Sequence, residues 1–145
     1  MQRREFIVAM GGVAAAASAS QAFAQAAGEG GGMEDMHPPL YKALGKTSID
    51  CVATGNDCLR HCFGMFSMKD TSMAACANAT YQLVAACGAL AALTSVNSPH
   101  AHSLAKTVEK VCDDCKKECD KFPKVVECKA CGDASQKCAE ECRKV

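Results

Sequence analysis

Three thiol groups lie within eight residues in the segment CDDCKKEC, which begins at Cys112, ends at Cys119 and has only charged residues between its cysteines. They belong to a set of twelve cysteines in a chain of 145 residues. Thiolates bind soft metal ions such as Cu(I) and zinc, and they also hold iron–sulfur clusters. A dense, even set of cysteines in an exported protein, however, usually forms disulfides. The positions of the cysteines distinguish these two chemistries.

The cysteines are spaced so that each falls on the same helical face as its neighbours. In four successive segments the steps are 7 and 4; 11; 3 and 4; and 3, 7 and 4 residues. All of these are sums of threes and fours, which bring side chains to one face of an α-helix. Such positions normally hold Leu or Ile facing the axis of a bundle. We therefore predict a core lined by the sulfur atoms of Cys51, Cys58, Cys62, Cys76, Cys87, Cys112, Cys115, Cys119, Cys128, Cys131, Cys138 and Cys142.

Two simpler interpretations of the cysteines stay open from the residues alone. Disulfides could join facing helices, although two cysteines four residues apart on one helix have nearly parallel Cα–Cβ bonds, which is poor geometry for a bridge. Buried cysteine can also act as a small hydrophobic residue. A dozen in one core, beside so few Leu, Ile and Phe, argues against that second interpretation.

Among soft metals, Cu(I) fits the pattern best. Zinc takes four ligands, often from two Cys-x-x-Cys pairs. Cys112 with Cys115 and Cys128 with Cys131 could form such pairs but would leave eight cysteines unused. The Cys-x-x-Cys-x-x-Cys run typical of iron–sulfur clusters is absent from the sequence. Cu(I) needs only two thiolates, and bridging sulfur atoms would raise the capacity to about one ion per cysteine, or about twelve per chain.

Three methionines and one histidine extend this set of candidate ligands. Met65, Met68 and Met73 cluster around the turn between the first two predicted helices. Thioethers bind Cu(I) well and zinc poorly, so we predict that these methionines receive incoming ions at one mouth of the bundle. His61 lies three residues after Cys58 and is a further candidate ligand. These residues also have ordinary alternative roles. The flexible methionines could simply fill gaps in the core, and the histidine could be exposed to solvent or hydrogen-bonded within the core.

The elements that position these residues are predicted to be four helices, over residues 40–65, 73–96, 99–122 and 124–145. Gly64 should end the first helix, Ser98 with Pro99 should begin the third, and Pro123 should end it. Short connections favour antiparallel neighbours, so the fold class is an all-α, up-down four-helix bundle. The second helix is apolar on nearly every side. We therefore expect its outer face to contact another subunit.

The first residues are typical of a cleaved export signal. Arg3 and Arg4 precede an apolar run that is rich in Gly and Ala and too short for a membrane anchor. We expect a twin-arginine signal peptide at 1–24, with cleavage between 24 and 26, a Gly-rich leader at 25–39 and the bundle at 40–145. The expected location is the periplasm or another compartment outside the cytoplasm.

Charge and composition exclude several classes of function. Without Arg3, Arg4 and Glu5 the mature chain has 14 basic and 15 acidic residues, so no basic excess favours nucleic acid or anionic lipid. Seven residues are aromatic and none is Trp, which disfavours a stacking platform or an aromatic pocket. The sequence contains no Ser/His/Asp set and no Gly-rich phosphate loop, so we predict that the protein is not an enzyme.

Taken together, these motifs resemble the exported members of the bacterial copper storage protein family. The resemblance covers essentially the whole mature chain and rests on Cys-x₆-Cys-x₂-His-Cys from Cys51 to Cys62, on the three methionines, and on the last seven cysteines. It implies a Cu(I) store in a tetramer of four-helix bundles, which could supply a copper-dependent client enzyme. Some members carry one more core cysteine, and here Ser135 occupies a stripe position where a cysteine would fit.

Three other functions stay open at this point. A copper chaperone would pass single ions to a partner, but it would use one exposed Cys-x-x-Cys pair rather than twelve core-directed thiols. A zinc-thiolate protein or redox enzyme would need an open coordination position or an accessible thiol of low pKa. A disulfide-stapled helical binding protein would contain few free thiols.

Overall fold

The computed structural model describes residues 36–145, and in that part of the chain all regular structure is α-helical. The helices are α1 (Lys42–Ser67), α2 (Ala74–Ser95), α3 (Ala101–Cys119) and α4 (Val126–Cys142). The prediction of a four-helix bundle is thereby confirmed. The predicted signal peptide at 1–24 and most of the leader at 25–39 lie outside the described residues.

The four helices pack in a closed ring around one core. The helix pairs in contact are α1–α2, α2–α3, α3–α4 and α4–α1. Because each connection is short, successive helices run antiparallel. The connections at 68–73 and 120–125 therefore share one end of the bundle, here called the upper end. The connection at 96–100 lies at the other, lower end.

Helices α1 and α2 end in the same hydrogen-bonded motif. At the end of α1 the N–H of Asp70 donates to Met65 O at 3.0 Å, and Lys69 between them has a φ of 64°. At the end of α2 the N–H of Ser98 donates to Leu93 O at 3.0 Å. Asn97 there has a φ of 51°. These are Schellman motifs with Lys69 and Asn97 in the left-handed region, where Asn is favoured.

The prediction that Gly64 ends α1 is wrong. The helix continues to Ser67. The stop comes from the left-handed Lys69 and the backbone hydrogen bonds around it rather than from the glycine. At the other end of the bundle, α3 begins at Ala101 with His100 at its N-cap, two residues after the predicted start at Pro99, and Ser98 Oγ accepts the N–H of His100 at 3.2 Å in the preceding turn.

Gly55 allows α1 and α2 to approach closely. A Cβ atom at this position would lie 2.6 Å from Cγ2 of Val84 on α2. The glycine in the middle of α1 therefore makes room for the side chain of Val84, although it lowers the helix propensity of the segment.

Hydrophobic side chains without sulfur close the lower end of the core. This group, called the aliphatic floor, comes from α1, α2 and α3 and is buried throughout: Leu44, Leu90, Ala101, Ala105 and Val108. It lies below the level of the cysteines on each of these helices. The apolar side chains without sulfur that pack against the core at the upper end, beside the methionine-rich turn, are only partly buried: Phe66, Phe122 and Val125.

Helix α2 is uncharged along its whole length and partly exposed. Its inner face is buried in the core, whereas Tyr81 is 67% exposed and Val96 just after it is 72% exposed. By length and composition it is the one helix among residues 36–145 that could cross a membrane, a test that core helices of bundles also pass.

Candidate metal centre

All twelve cysteines are buried and free. Helix α1 contributes three of them, α2 two, α3 three and α4 four. The prediction that every cysteine faces the bundle core is therefore confirmed. Because each helix presents its cysteines on one inward stripe, the fold brings sulfur atoms from all four helices together.

Seven of the cysteines form an upper cluster, next to the α1–α2 and α3–α4 connections. Its contacts join all four helices: Cys58 Sγ lies 3.8 Å from Cys76 Sγ and 3.7 Å from Cys128 Sγ. Cys119 Sγ lies 3.8 Å from Cys76 Sγ and 3.9 Å from Cys115 Sγ. The members of the upper cluster are Cys58, Cys62, Cys76, Cys115, Cys119, Cys128 and Cys131.

The other five cysteines form a lower cluster next to the aliphatic floor. Four of them, one from each helix, have sulfur atoms that all lie within 4.8 Å of one another: Cys51, Cys87, Cys112 and Cys138. Cys142 lies one turn beyond Cys138 on α4 and completes the cluster. The closest of the measured contacts, between the sulfur atoms of Cys87 and Cys112, is 3.9 Å.

These separations suit metal ions rather than disulfides. A disulfide bond is about 2.05 Å long, whereas the hydrogen-bonding contacts between cysteine sulfurs here are 3.7 to 3.9 Å. One ion bonded to two thiolates at about 2.3 Å each would span such a pair. Both clusters can therefore hold ions between neighbouring sulfur atoms without a large movement of the helices.

Hydrogen bonds between thiols stabilise selected thiolates. S–H donation by Cys119 is the main reason why the pKa of Cys115 is lowered from its ordinary value of 9.0 to about 3. Donation by Cys119 also lowers the pKa of Cys58, and donation by Cys112 lowers that of Cys138. Each cluster thus contains at least one cysteine whose lowered pKa favours the thiolate form.

The neighbours of these thiolates resist ionisation for the same reason. The pKa of Cys119 is raised because its proton is shared with Cys115, and the pKa of Cys112 is raised because its proton is shared with Cys138. Burial raises the pKa of Cys62 to about 12. A core of many bare thiolates is therefore unfavourable, and each bound monovalent cation would remove one unit of the repulsion.

Buried hydroxyl groups accompany the sulfur atoms. Thr80 Oγ lies 3.7 Å from the sulfur atoms of Cys58 and Cys115 and 4.0 Å from that of Cys76. Ser48 Oγ lies 3.8 Å from Cys138 Sγ. Thr80 and Ser48 were not among the predicted site residues, although each lies on the inward stripe of its helix, four residues after Cys76 and three before Cys51 respectively.

The predicted methionine and histidine ligands lie at the upper end but differ in burial. Met73 is 2% exposed and belongs to the core, and Met65 is partly buried against it. Met68 is 70% exposed, so the structure does not bring it to the sulfur atoms. His61 Nδ1 lies 3.7 Å from Oε2 of Glu127, which joins α1 to α4 beside Cys62 and Cys128.

A four-helix bundle whose interior is lined with free thiols defines a class of proteins that bind several soft metal ions in a helical core. The chain belongs to the copper storage protein family, whose sequence model matches residues 39–145. No curated protein matches the chain in sequence.

One solved structure is similar in fold over most of the bundle. The Cu(I)-bound copper storage protein BsCsp3 superposes with a TM-score of 0.61 and 24% sequence identity. The match covers 71% of this chain and 94% of that chain. At this level of identity the similarity concerns the fold.

Proposed function

We propose that this chain stores Cu(I), holding many ions between the thiolates that line its bundle. The observation that carries the proposal is the burial of all twelve free thiols in two clusters, with neighbouring sulfur atoms 3.7 to 3.9 Å apart. If sulfur atoms bridge ions, the capacity is about one Cu(I) per cysteine, or about twelve per chain. Family membership supports the same function.

Zinc is the chemical competitor, and one group of sulfur atoms could hold it. Cys51, Cys87, Cys112 and Cys138 offer four sulfurs within 4.8 Å of one another, which is the number that a structural zinc site needs. Zinc would use about four thiolates per ion, so the chain could hold at most about three. Stoichiometry therefore separates the two metals.

An anaerobic titration of the reduced mature chain with Cu(I) tests the proposal. We expect uptake to saturate near twelve ions per chain while far-ultraviolet circular dichroism stays helical, because the cysteines already lie together before metal is added. A parallel zinc titration is the control and should saturate at about three ions or fewer. Saturation at one or two Cu(I) would rule out storage.

We also propose that the protein acts as a store rather than as an enzyme or a chaperone. The two Cys-x-x-Cys pairs, Cys112 with Cys115 and Cys128 with Cys131, are fully buried, whereas transfer of single ions to a partner needs an exposed pair. A catalytic thiol would likewise need access to substrate. The cargo would then reach a copper-requiring client enzyme only after release from the core.

The entry route that we propose runs through the upper end. The aliphatic floor closes the lower end, whereas the upper end offers thioethers at three depths: Met68 exposed, Met65 partly buried and Met73 buried. Thioethers bind Cu(I) without requiring deprotonation, so this series suits the reception of ions and their passage to the upper cluster.

Self-association and export complete the proposal. The uncharged outer face of α2 supports contact with a second copy of the chain, and the resemblance to the storage family favours a tetramer.

Arg3 and Arg4 support export by the twin-arginine route to the periplasm. The N-terminus of protein recovered from outside the cytoplasm should start between residues 25 and 27, and recovery of only the uncleaved chain from the cytoplasm would contradict export.

A further inference from the structure

We infer that the store is divided into two copper pools that exchange at different rates: a fast pool in the upper cluster and a slow pool in the lower cluster. The inference rests on the proposed function and concerns how the same site is filled and emptied. It follows from the contacts between the sulfur atoms, from the residues that separate the clusters and from the two ends of the bundle.

The two clusters do not share a sulfur–sulfur hydrogen-bond contact among residues 36–145. Contacts of 3.7 to 3.9 Å connect six members of the upper cluster to one another, and the seventh, Cys62, interacts with Cys58 and Cys76 of the same cluster. The corresponding contact of the lower cluster stays within it. The groups of sulfur atoms close enough to surround one ion also divide in the same way. An ion held in one cluster therefore has its nearest alternative ligands in that same cluster.

Residues without sulfur separate the clusters on three of the four helices. Gly55 occupies the stripe of α1 between Cys51 and Cys58, and Ser135 occupies that of α4 between Cys131 and Cys138. Each gap spans seven residues, or about 10 Å along the helix axis. On α2 the interval between the clusters contains the buried side chains of Thr80 and Leu83 and is longer still.

Helix α3 is the exception and provides the connection. Cys112 of the lower cluster and Cys115 of the upper cluster are three residues apart on its inner face. Residues at this spacing are neighbours on a helix, so one ion could pass between these two sulfur atoms. The aliphatic floor covers the lower end on α1, α2 and α3, so the route that we infer for copper in the lower cluster runs through the upper cluster by this connection.

Ser135 is the residue that most directly maintains the division. It is fully buried between the two clusters, and its hydroxyl donates to the carbonyl of Cys131 at 2.8 Å. A thiol at this position would offer a second connection along α4. Ser48 is a matched position: it is fully buried and donates to the carbonyl of Leu44 at 2.8 Å, but it lies beside Cys138, within reach of the lower cluster only.

The test is the release of copper from fully loaded protein into an excess of bathocuproine disulfonate, a chromogenic Cu(I) chelator, followed by absorbance. We expect two phases, the faster carrying seven twelfths of the copper and the slower five twelfths, in proportion to the cysteines of each cluster. The substitution S135C should abolish the separate slow phase, whereas S48C should retain it with a larger amplitude.

Three outcomes would overturn the inference: a single release phase in the unsubstituted protein, an unchanged slow phase in S135C, or loss of the slow phase in S48C as well. The copper content at the start of the experiment separates this result from the proposed function. A chain that loads about twelve ions but releases them in one phase is still a store. A chain that loads only one or two ions contradicts the storage function itself.

Discussion

At the residue scale, Thr80 differs from the other buried hydroxyl-bearing residues of the described chain. Ser48, Ser135 and Thr94 each donate to a backbone carbonyl of their own helix. The hydrogen-bond partners of Thr80 Oγ are sulfur atoms, including those of Cys58 and Cys115. Its hydroxyl contributes to the lowered pKa of both thiols, after the larger contributions of neighbouring cysteines.

We predict a thiolate in the reduced, metal-free protein at a pH where ordinary cysteine is protonated. The pKa of Cys115 is lowered to about 3, so this sulfur should be charged above that pH, and its signal should be lost only as the pH falls toward 3. Thiolate absorbance near 240 nm, followed from neutral to acidic pH, measures this directly.

The substitution Thr80→Val tests the contribution of the hydroxyl. It removes a hydrogen bond to the Cys115 thiolate, so the part of the absorbance that belongs to Cys115 should be lost at a higher pH than in the unsubstituted protein. Thr80→Ser should restore the original midpoint. Thr94→Val removes a buried hydroxyl that bonds only to a backbone carbonyl and should leave the midpoint unchanged. Equal shifts in the two valine variants would refute the role of Thr80.

The inward position of every cysteine could be predicted from spacing because helical periodicity alone determines which face a residue occupies. The division into two clusters could not. It depends on the relative heights of side chains on different helices, and these are set by packing between helices. Periodicity likewise gave no reason to select Thr80, because its importance comes from sulfur atoms on α1 and α3.

At the element scale, the pairing of α1 with α2 depends on a missing side chain. Helix propensity alone makes Gly55 a weak point in the middle of α1, whereas its close approach to Val84 depends on the structure of the neighbouring helix. The α1 terminus was misplaced for a related reason. Gly64 is a typical helix stop in the sequence, but the left-handed residue is Lys69.

We predict opposite effects on stability for alanine at two glycines of α1. Gly55→Ala places a Cβ atom 2.6 Å from Cγ2 of Val84, a branched side chain that rotates little. The free energy of unfolding should fall by about 1 to 3 kcal/mol, as for other overpacked cores.

Gly64→Ala is the matched control, because a Cβ atom there meets nothing within 4 Å. This variant should gain about 0.5 to 1 kcal/mol from helix propensity. Chemical denaturation of the reduced, metal-free chain measures both. Stabilisation by Gly55→Ala would show that α1 and α2 can separate freely.

At the scale of the whole molecule, the exterior is divided by charge. Helix α2 carries no charged residue, whereas α3 and α4 have an exterior rich in charged side chains. Arg143 joins these two helices through Glu109 and Asp113, with contacts of 2.8 Å to each. The charged surface suits solvent, and the uncharged surface suits a second copy of the chain.

We predict that a charge on the outer face of α2 weakens self-association. Ala85 and Ala89 are exposed on this helix, so Ala89→Glu should shift the protein toward the monomer in sedimentation velocity. Lys137→Glu on the exposed face of α4 changes charge elsewhere and should leave the assembly intact. An unsubstituted protein that is monomeric at all concentrations would contradict the proposed contact.

The aliphatic floor has a consequence for the lifetime of the molecule. Its packing of Leu44, Leu90 and Val108 contains no sulfur and is therefore unaffected by how many ions are bound. Helices α1, α2 and α3 keep this anchor even when the protein is drained of metal, so we expect a depleted chain to stay native and to resist proteolysis. One polypeptide can then be recharged repeatedly without being resynthesised.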